Sequence, residues 1–113
     1  MYISVHYEPH NDMVALLPDN LCENYVKRAI DMAKFRGFIC ITVGQGLIIE
    51  YLRLYVCRGI IKPEEIEFIF DNLKGQVFTM KTDKNGRLDN WPKGFCDHTE
   101  DILNEKWNYW INM

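Results

Sequence analysis

Four side chains are of the types that ligate metals or attack carbonyls. His6 and His10 flank one loop, and Cys96 and His98 stand two apart. Imidazole and thiolate are zinc ligands, but structural zinc sites pair them at set spacings that these four, as a set, do not follow. An open loop would have to bring them together, and surface histidines are the simpler account. Cys96-Asp97-His98 is no better as a nucleophile set, because triad members meet through folding rather than as sequence neighbours. Gly44-Gln45-Gly46 sits where a strand passes into a helix, as a phosphate loop would. A Walker A loop requires G-x-x-x-x-G-K-[ST], which this chain lacks. The lone G-x-G reads as a tight turn.

Lys62, Lys74, Lys81, Lys84, Arg87 and Lys93 lie near aromatic residues, as in a nucleic-acid platform. Glu64, Glu65, Glu67, Asp71, Asp83 and Asp89 interleave with them. A solvated hairpin surface fits this mixture better than a phosphate-binding groove. The most distinctive stretch is Trp91-Pro92-Lys93-Gly94-Phe95. Its large aromatics serve either to pin a hairpin to its own core or to anchor a partner, and burial within the domain is the commoner fate.

The chain has 113 residues and a net charge of −3, with 48% apolar and 26% charged residues. Those values describe one ordinary globular domain, and they disfavour a basic nucleic-acid binder. The N-terminus, Met1 to Tyr7, has neither the basic nor the apolar region of a signal peptide. The longest nearly apolar stretch, 37–49, is too short to span a bilayer. Cys22, Cys40 and Cys57 fall on apolar faces of predicted elements, and no C-x-x-C pair occurs. Buried, reduced thiols in a cytoplasmic protein are the expectation.

The elements that must position these residues follow from periodicity. Residues 2–7 read as a strand and residues 8–12 as a loop. Residues 13–17 are short, apolar and ambiguous. After Pro18 an amphipathic helix is expected to run to about Arg36, with Asn20 as its cap and Glu23 completing a capping box. Cys22, Tyr25, Val26, Ala29, Ile30 and Ala33 form its apolar face, and Gly37 stops it. Phe38 to Val43 is a continuous run rich in β-branched residues, which predicts a strand buried on both faces. Residues 47–58 read as a second helix with one apolar stripe: Ile48, Leu52, Tyr55 and Val56. Period-two alternation through Ile66, Phe68 and Phe70, a turn at Gly75 and the run 76–81 predict a hairpin. Asn85-Gly86 marks a second turn. Thr99 is placed to cap a closing helix packed through Ile102, Leu103, Lys106, Trp107, Trp110 and Ile111.

Half of the chain also carries a family pattern. Leu52-Arg53-Leu54-Tyr55-Val56 is followed by Gly59-Ile60-Ile61-Lys62-Pro63-Glu64-Glu65-Ile66. After the hairpin comes Asp83-Lys84-Asn85-Gly86-Arg87-Leu88-Asp89-Asn90-Trp91-Pro92-Lys93-Gly94-Phe95-Cys96-Asp97. This stretch resembles the C-terminal end of prokaryotic ABC-type AAA ATPases, the group related to OLD nucleases and other phage-defence proteins. Those chains carry L-x-x-R-L-R-x-x-V, G-x-I-x-P-E-D-V and D-x-x-G-R-(I/L)-x-x-W-P-x-G-F-F-D. Upstream the likeness is looser. Residues 11–18 overlay N-P-E-x-H-L-H-P, and residues 43–45 lie where T-H-S stands in the family.

The departures shape what the resemblance implies. The acid of N-P-E falls on Met13, the switch histidine on Gly44, and the second Phe of F-F-D on Cys96. Glu8 is the one displaced acid on offer. The groups that would order Mg²⁺ and an attacking water are missing from their places, and no phosphate loop precedes them. The resemblance therefore implies a partial P-loop NTPase-like lobe without cofactor or catalytic residues. Its fold is α/β: a small, partly parallel sheet with flanking helices, a C-terminal antiparallel hairpin and a closing helix. The implied role is regulatory or structural association with itself or with a complete ATPase chain. Trp91, Pro92, Gly94, Phe95 and Asp97 are its partner-binding or structural motif. A small His/Cys enzyme or metal protein, and a nucleic-acid accessory module, are the alternatives.

Overall fold

The computed structural model describes residues 1–90, 92 and 95. Its first strand, β1 (Tyr2–Tyr7), is the one on which the rest is ordered. A helix, α1 (Asp19–Arg36), returns the chain to β2 (Phe38–Val43), which pairs parallel with β1, Tyr2 against Phe38 through Tyr7 against Val43. A second helix, α2 (Gly46–Cys57), and a 3-10 turn (Pro63–Glu65) lead to β3 (Ile66–Asp71). That strand pairs parallel with the opposite edge of β1, Ile3 against Ile66 through Tyr7 against Phe70. The last strand, β4 (Val77–Met80), folds back antiparallel on β3. The strand order is β2-β1-β3-β4. The architecture is a small α/β unit with a mostly parallel four-stranded sheet; the closing helix expected after Thr99 lies outside the described residues.

Alternation along each strand sorts side chains onto two faces. One face carries Ile3, Val5, Ile41, Val43, Ile66, Phe68, Phe70 and Met80, all buried. Both helices pack on it: Cys22, Val26, Ala29, Ile30 and Ala33 from α1, and Ile48, Ile49, Leu52, Tyr55 and Val56 from α2 join the same core. The other face carries Tyr2, Ser4 and His6, with Phe38, Cys40 and Thr42 beside them on one flank and Glu67 and Ile69 on the other.

Three local expectations need correction. First, α1 begins at Asp19, with Pro18 as its cap residue and no side-chain cap, so Asn20 and Glu23 form no capping box. Proline sets the entry geometry, and the Asp19 carboxylate sits in the positive first turn. Glu23 instead accepts a hydrogen bond from the Tyr55 hydroxyl at 3.2 Å, joining the two helices. At the far end Gly37 adopts a left-handed φ of 83° and donates its N–H to the Ala33 carbonyl at 2.8 Å, as its position after the helix requires.

Second, β2 is not buried on both faces. It is an edge strand, and Phe38, Cys40 and Thr42 are exposed while Ile41 and Val43 are buried. A continuous apolar run states that no polar residue is present; it does not state that two layers cover the strand. Cys40 is accordingly an exposed free thiol, whereas Cys22 is buried and Cys57 half-buried. Third, α2 has no single stripe. Glu50 and Arg53 are buried along with its apolar residues, because α1 covers one side and the Asp83–Arg87 turn another. The Arg53 Nε donates to the Gly86 carbonyl at 2.8 Å, fixing that turn to the helix.

The strand-to-helix turn after β2 has a mechanical role. The Gln45 Nε2 donates to the Leu17 carbonyl at 2.6 Å, and the Gln45 Oε1 accepts from the Leu17 N–H at 2.7 Å. One side-chain amide thus satisfies both backbone groups of a residue 28 positions earlier, as a neighbouring strand would. The irregular segment 13–17 is thereby held over the end of β2. A Cβ on Gly44 would meet Leu16 Cδ2 at 3.3 Å, which shows how closely the segment approaches the end of β2.

Two outcomes follow from this packing. Gln45→Ala removes two backbone-satisfying bonds and lowers stability by about 1–3 kcal/mol, read as a lower urea midpoint at unchanged m-value; an unmoved midpoint overturns the clamp. The second concerns alkali. Burial, followed by the Glu23 carboxylate, pushes Tyr51 and Tyr55 above their ordinary 10.0, and burial does the same to Tyr25. Their folded values exceed their unfolded ones, so this stability is complete below pH 10 and lost as pH rises through the folded values. Denaturation at pH 9 and pH 11 shows the loss, and Tyr55→Phe reduces the pH dependence.

Candidate functional site

Two features of the sheet qualify as sites: a crevice at the carboxyl ends of β1 and β3, and the outer edge of β2. The crevice lies where the connection from β1 leaves toward β2 and that from β3 leaves toward β4. Its volume is about 430 Å³, and its walls include His6, Glu8, His10 and Asn11 on one side and Ile69, Asp71 and Val77 on the other. Folding therefore brings His6, Glu8 and His10 to one place and adds Asp71, an acidic residue of the hairpin that is not confined to a solvated surface.

The polar groups of the crevice are partly committed to its own loops. Glu8 Oε1 accepts from Asn11 Nδ2 at 3.2 Å, and Asn11 Oδ1 accepts from the Met13 N–H at 2.9 Å. Asp71 Oδ1 accepts from the Leu73 N–H at 2.8 Å, supporting the left-handed residue Leu73 in the hairpin turn. Among the described residues no three His, Cys, Asp or Glu side chains are grouped to hold a metal ion. Cys96 and His98 lie outside the described residues. The crevice can accept hydrogen bonds from a small ligand, and Glu8 and Asp71 favour a cationic one.

Of the proposed motif Trp91, Pro92, Gly94, Phe95 and Asp97, the described residues include Pro92 and Phe95, both buried; Trp91, Gly94 and Asp97 lie outside them. Phe95 inserts its ring edge-on between two core aromatics, 5.1 Å from Tyr7 and 5.6 Å from Phe70 by ring centroids. The Phe95 N–H reaches the Pro92 carbonyl at 3.2 Å, a tight turn that directs the ring inward. Phe95 therefore ties the chain beyond β4 to the carboxyl ends of β1 and β3, on the side of the sheet opposite His6 and Ile69.

Upstream of it, the Asp83–Arg87 turn is closed as its Asn-Gly signal requires. Asp83 Oδ1 accepts from the N–H groups of Asn85 at 2.9 Å and Arg87 at 3.0 Å, and Gly86 takes φ 77°. Among the basic residues, Lys81 is engaged rather than free: its Nζ donates to the Ile66 carbonyl at 2.8 Å and lies 5.1 Å from the centre of the Tyr2 ring.

The outer edge of β2 was missed by sequence reasoning, because strand order has no local signature. The Tyr2 N–H donates to the Gly37 carbonyl, and the Glu8 N–H to the Val43 carbonyl. In a parallel ladder with the observed register, this phase turns the amides of Ile39, Ile41 and Val43 toward β1. The N–H and C=O groups of Phe38, Cys40 and Thr42 then point away from the sheet. Among the described residues β2 pairs with β1 alone. Phe38, 54% exposed, stacks on Tyr2 at 6.1 Å and an interplanar angle of 7°.

Residues 61–105 match the model of a family described as a protein of unknown function (DUF3696). The matched segment spans β3, β4, the Asp83–Arg87 turn, Pro92 and Phe95. No curated protein and no solved structure matches the chain. No helix of the described residues is long and apolar enough to cross a membrane.

Phe95→Ala removes a fully buried ring between Tyr7 and Phe70 and costs about 3–5 kcal/mol, whereas Phe95→Leu keeps most of the volume and costs about half of that or less. Chemical denaturation of both variants checks this, and a loss below about 1 kcal/mol for Phe95→Ala overturns the anchoring role.

Proposed function

We propose that this protein is a non-catalytic, ATPase-lobe-like association module, a regulatory or structural subunit that works through protein–protein contact. The observation that carries the reading is the open edge of β2: a six-residue strand without charge or proline, with outward amide groups and an exposed aromatic stack. Among the described residues this edge has no covering element, and an uncovered edge without Lys, Pro or a bulge is a template for another chain. The opposite edge, β4, is shorter, with four residues.

The link to ATPases rests on the motif resemblance, and the family match, over residues 61–105, supports it by overlapping that stretch at residues 61–97. In that reading the phage-defence association and the pseudo-ATPase character come from the resemblance as well, while a cytoplasmic location rests on the N-terminal composition and the cysteine pattern. The partner is either this chain itself or a complete ATPase carrying its own Walker A loop.

Light scattering and affinity capture test the reading on the purified full chain, together with an assay of Mg²⁺-ATP turnover. The expected result is self-association or retention of a Walker A-bearing chain, without turnover. A monomer that retains no ATPase overturns the proposal. So does saturable, magnesium-dependent hydrolysis abolished by Glu8→Gln.

A further inference from the structure

The outward groups of β2 also specify what can sit on it. We propose that the partner is a second copy of this chain, whose β2 pairs antiparallel with the first about a two-fold axis passing between the two Cys40 residues. This inference rests on the association reading above and names the partner of the same edge.

The register follows from the hydrogen-bond phase. An antiparallel pair forms its closely spaced bonds between residues that both present N–H and C=O to each other. On β2 these are Phe38, Cys40 and Thr42. Centring the axis on Cys40 sets Phe38 against Thr42 of the second copy, Cys40 against Cys40, and Thr42 against Phe38, so every outward amide of the strand is used. Centring on Ile39 or Ile41 leaves one end of the strand facing Arg36 or Gly44 and loses a bonded pair within it. A two-fold axis perpendicular to the sheet also keeps the faces in common, so Ile39 meets Ile41 on the helix-covered side, apolar against apolar.

The surroundings of the edge fit the same operation. Its starting end carries the exposed cations Lys34 and Arg36 and the exposed rings of Phe35 and Phe38. Its finishing end is overlaid by the segment that starts at exposed Asp12 and continues through exposed Met13 and Leu16. Leu16 lies over Gly44, immediately past the strand. Antiparallel pairing brings the basic end of one copy to the acidic end of the other and the exposed apolar residues of the two ends together. A parallel pairing would set like charges side by side.

The geometry provides its own reporter. Directly opposed residues in a bonded antiparallel pair have Cα atoms about 5.5 Å apart, within the span of a disulfide. Cys40 is exposed and unpaired, while Cys22 is buried. In the full chain carrying Cys57→Ser and Cys96→Ser, mild copper-phenanthroline oxidation is expected to give a covalent dimer within minutes, absent after Cys40→Ser. Sedimentation velocity is expected to show that the Cys40→Ser chain remains dimeric. Cys40→Lys opposes two like charges on the axis and is expected to raise the dimer dissociation constant at least tenfold, with an unchanged far-ultraviolet circular dichroism spectrum.

A monomeric wild-type chain overturns the proposal. So does a dimer that neither cross-links through Cys40 nor responds to Cys40→Lys, which would place the interface elsewhere. A monomer that binds a Walker A-bearing ATPase through β2 overturns the second-copy occupant while leaving the association reading standing. Mg²⁺-ATP turnover would remove that reading instead.

Discussion

The central position of β1 is the constraint on which the structure depends. Among the described residues it is the one strand with parallel neighbours on both sides. A parallel neighbour is reached only by a crossover long enough to return the chain to the starting end of the sheet. α1 provides that return to β2, and α2 with the 3-10 turn provides the return to β3. Both helices bury their apolar residues on the face bearing Ile3 and Val5. That choice leaves the second face of the sheet without a described helix, and it leaves β2 at the edge.

Several polar contacts act at the joints of this arrangement rather than in its interior. Gln45 replaces a missing strand partner for Leu17. Arg53 holds the Gly86 carbonyl, and the Tyr55 hydroxyl bridges to Glu23. Each ties together segments more than 25 residues apart in sequence, and each satisfies a group that would otherwise lose its water without compensation. Phe95 does the same with an apolar side chain, locking the segment after β4 against Tyr7 and Phe70. The family match at residues 61–105 falls on the part of the chain that contains this lock and the Asp83–Arg87 turn.

The proposed role follows from an imbalance in this economy of contacts. The two helices and the sheet share one hydrophobic core. Among the described residues, β2 is the longer of the two unpaired edges, with outward amides at Phe38, Cys40 and Thr42, an exposed aromatic stack and oppositely charged ends. The crevice beside His6, Glu8, His10 and Asp71 is the second concentration of chemistry, but its carboxylates already support the loops that form it.

Much of the local structure was legible in the residues themselves. Gly37 ends a helix because glycine reaches a positive φ without a Cβ clash, and Asn85-Gly86 turns the chain for the same reason. The period-two run through Ile66, Phe68 and Phe70 can only be a strand with one buried face. These features depend on interactions a few residues apart, which a sequence displays directly. Strand order, the side on which a helix crosses, and the depth of cover over Phe38–Val43 depend on contacts between distant segments. The same apolar run suits a strand at the centre of a sheet or at its rim, and only packing decided that this one lies at the rim with Cys40 in solvent. The meeting of His6, Glu8, His10 and Asp71 at one crevice was decided in the same way, because it required β1 and β3 to become neighbours.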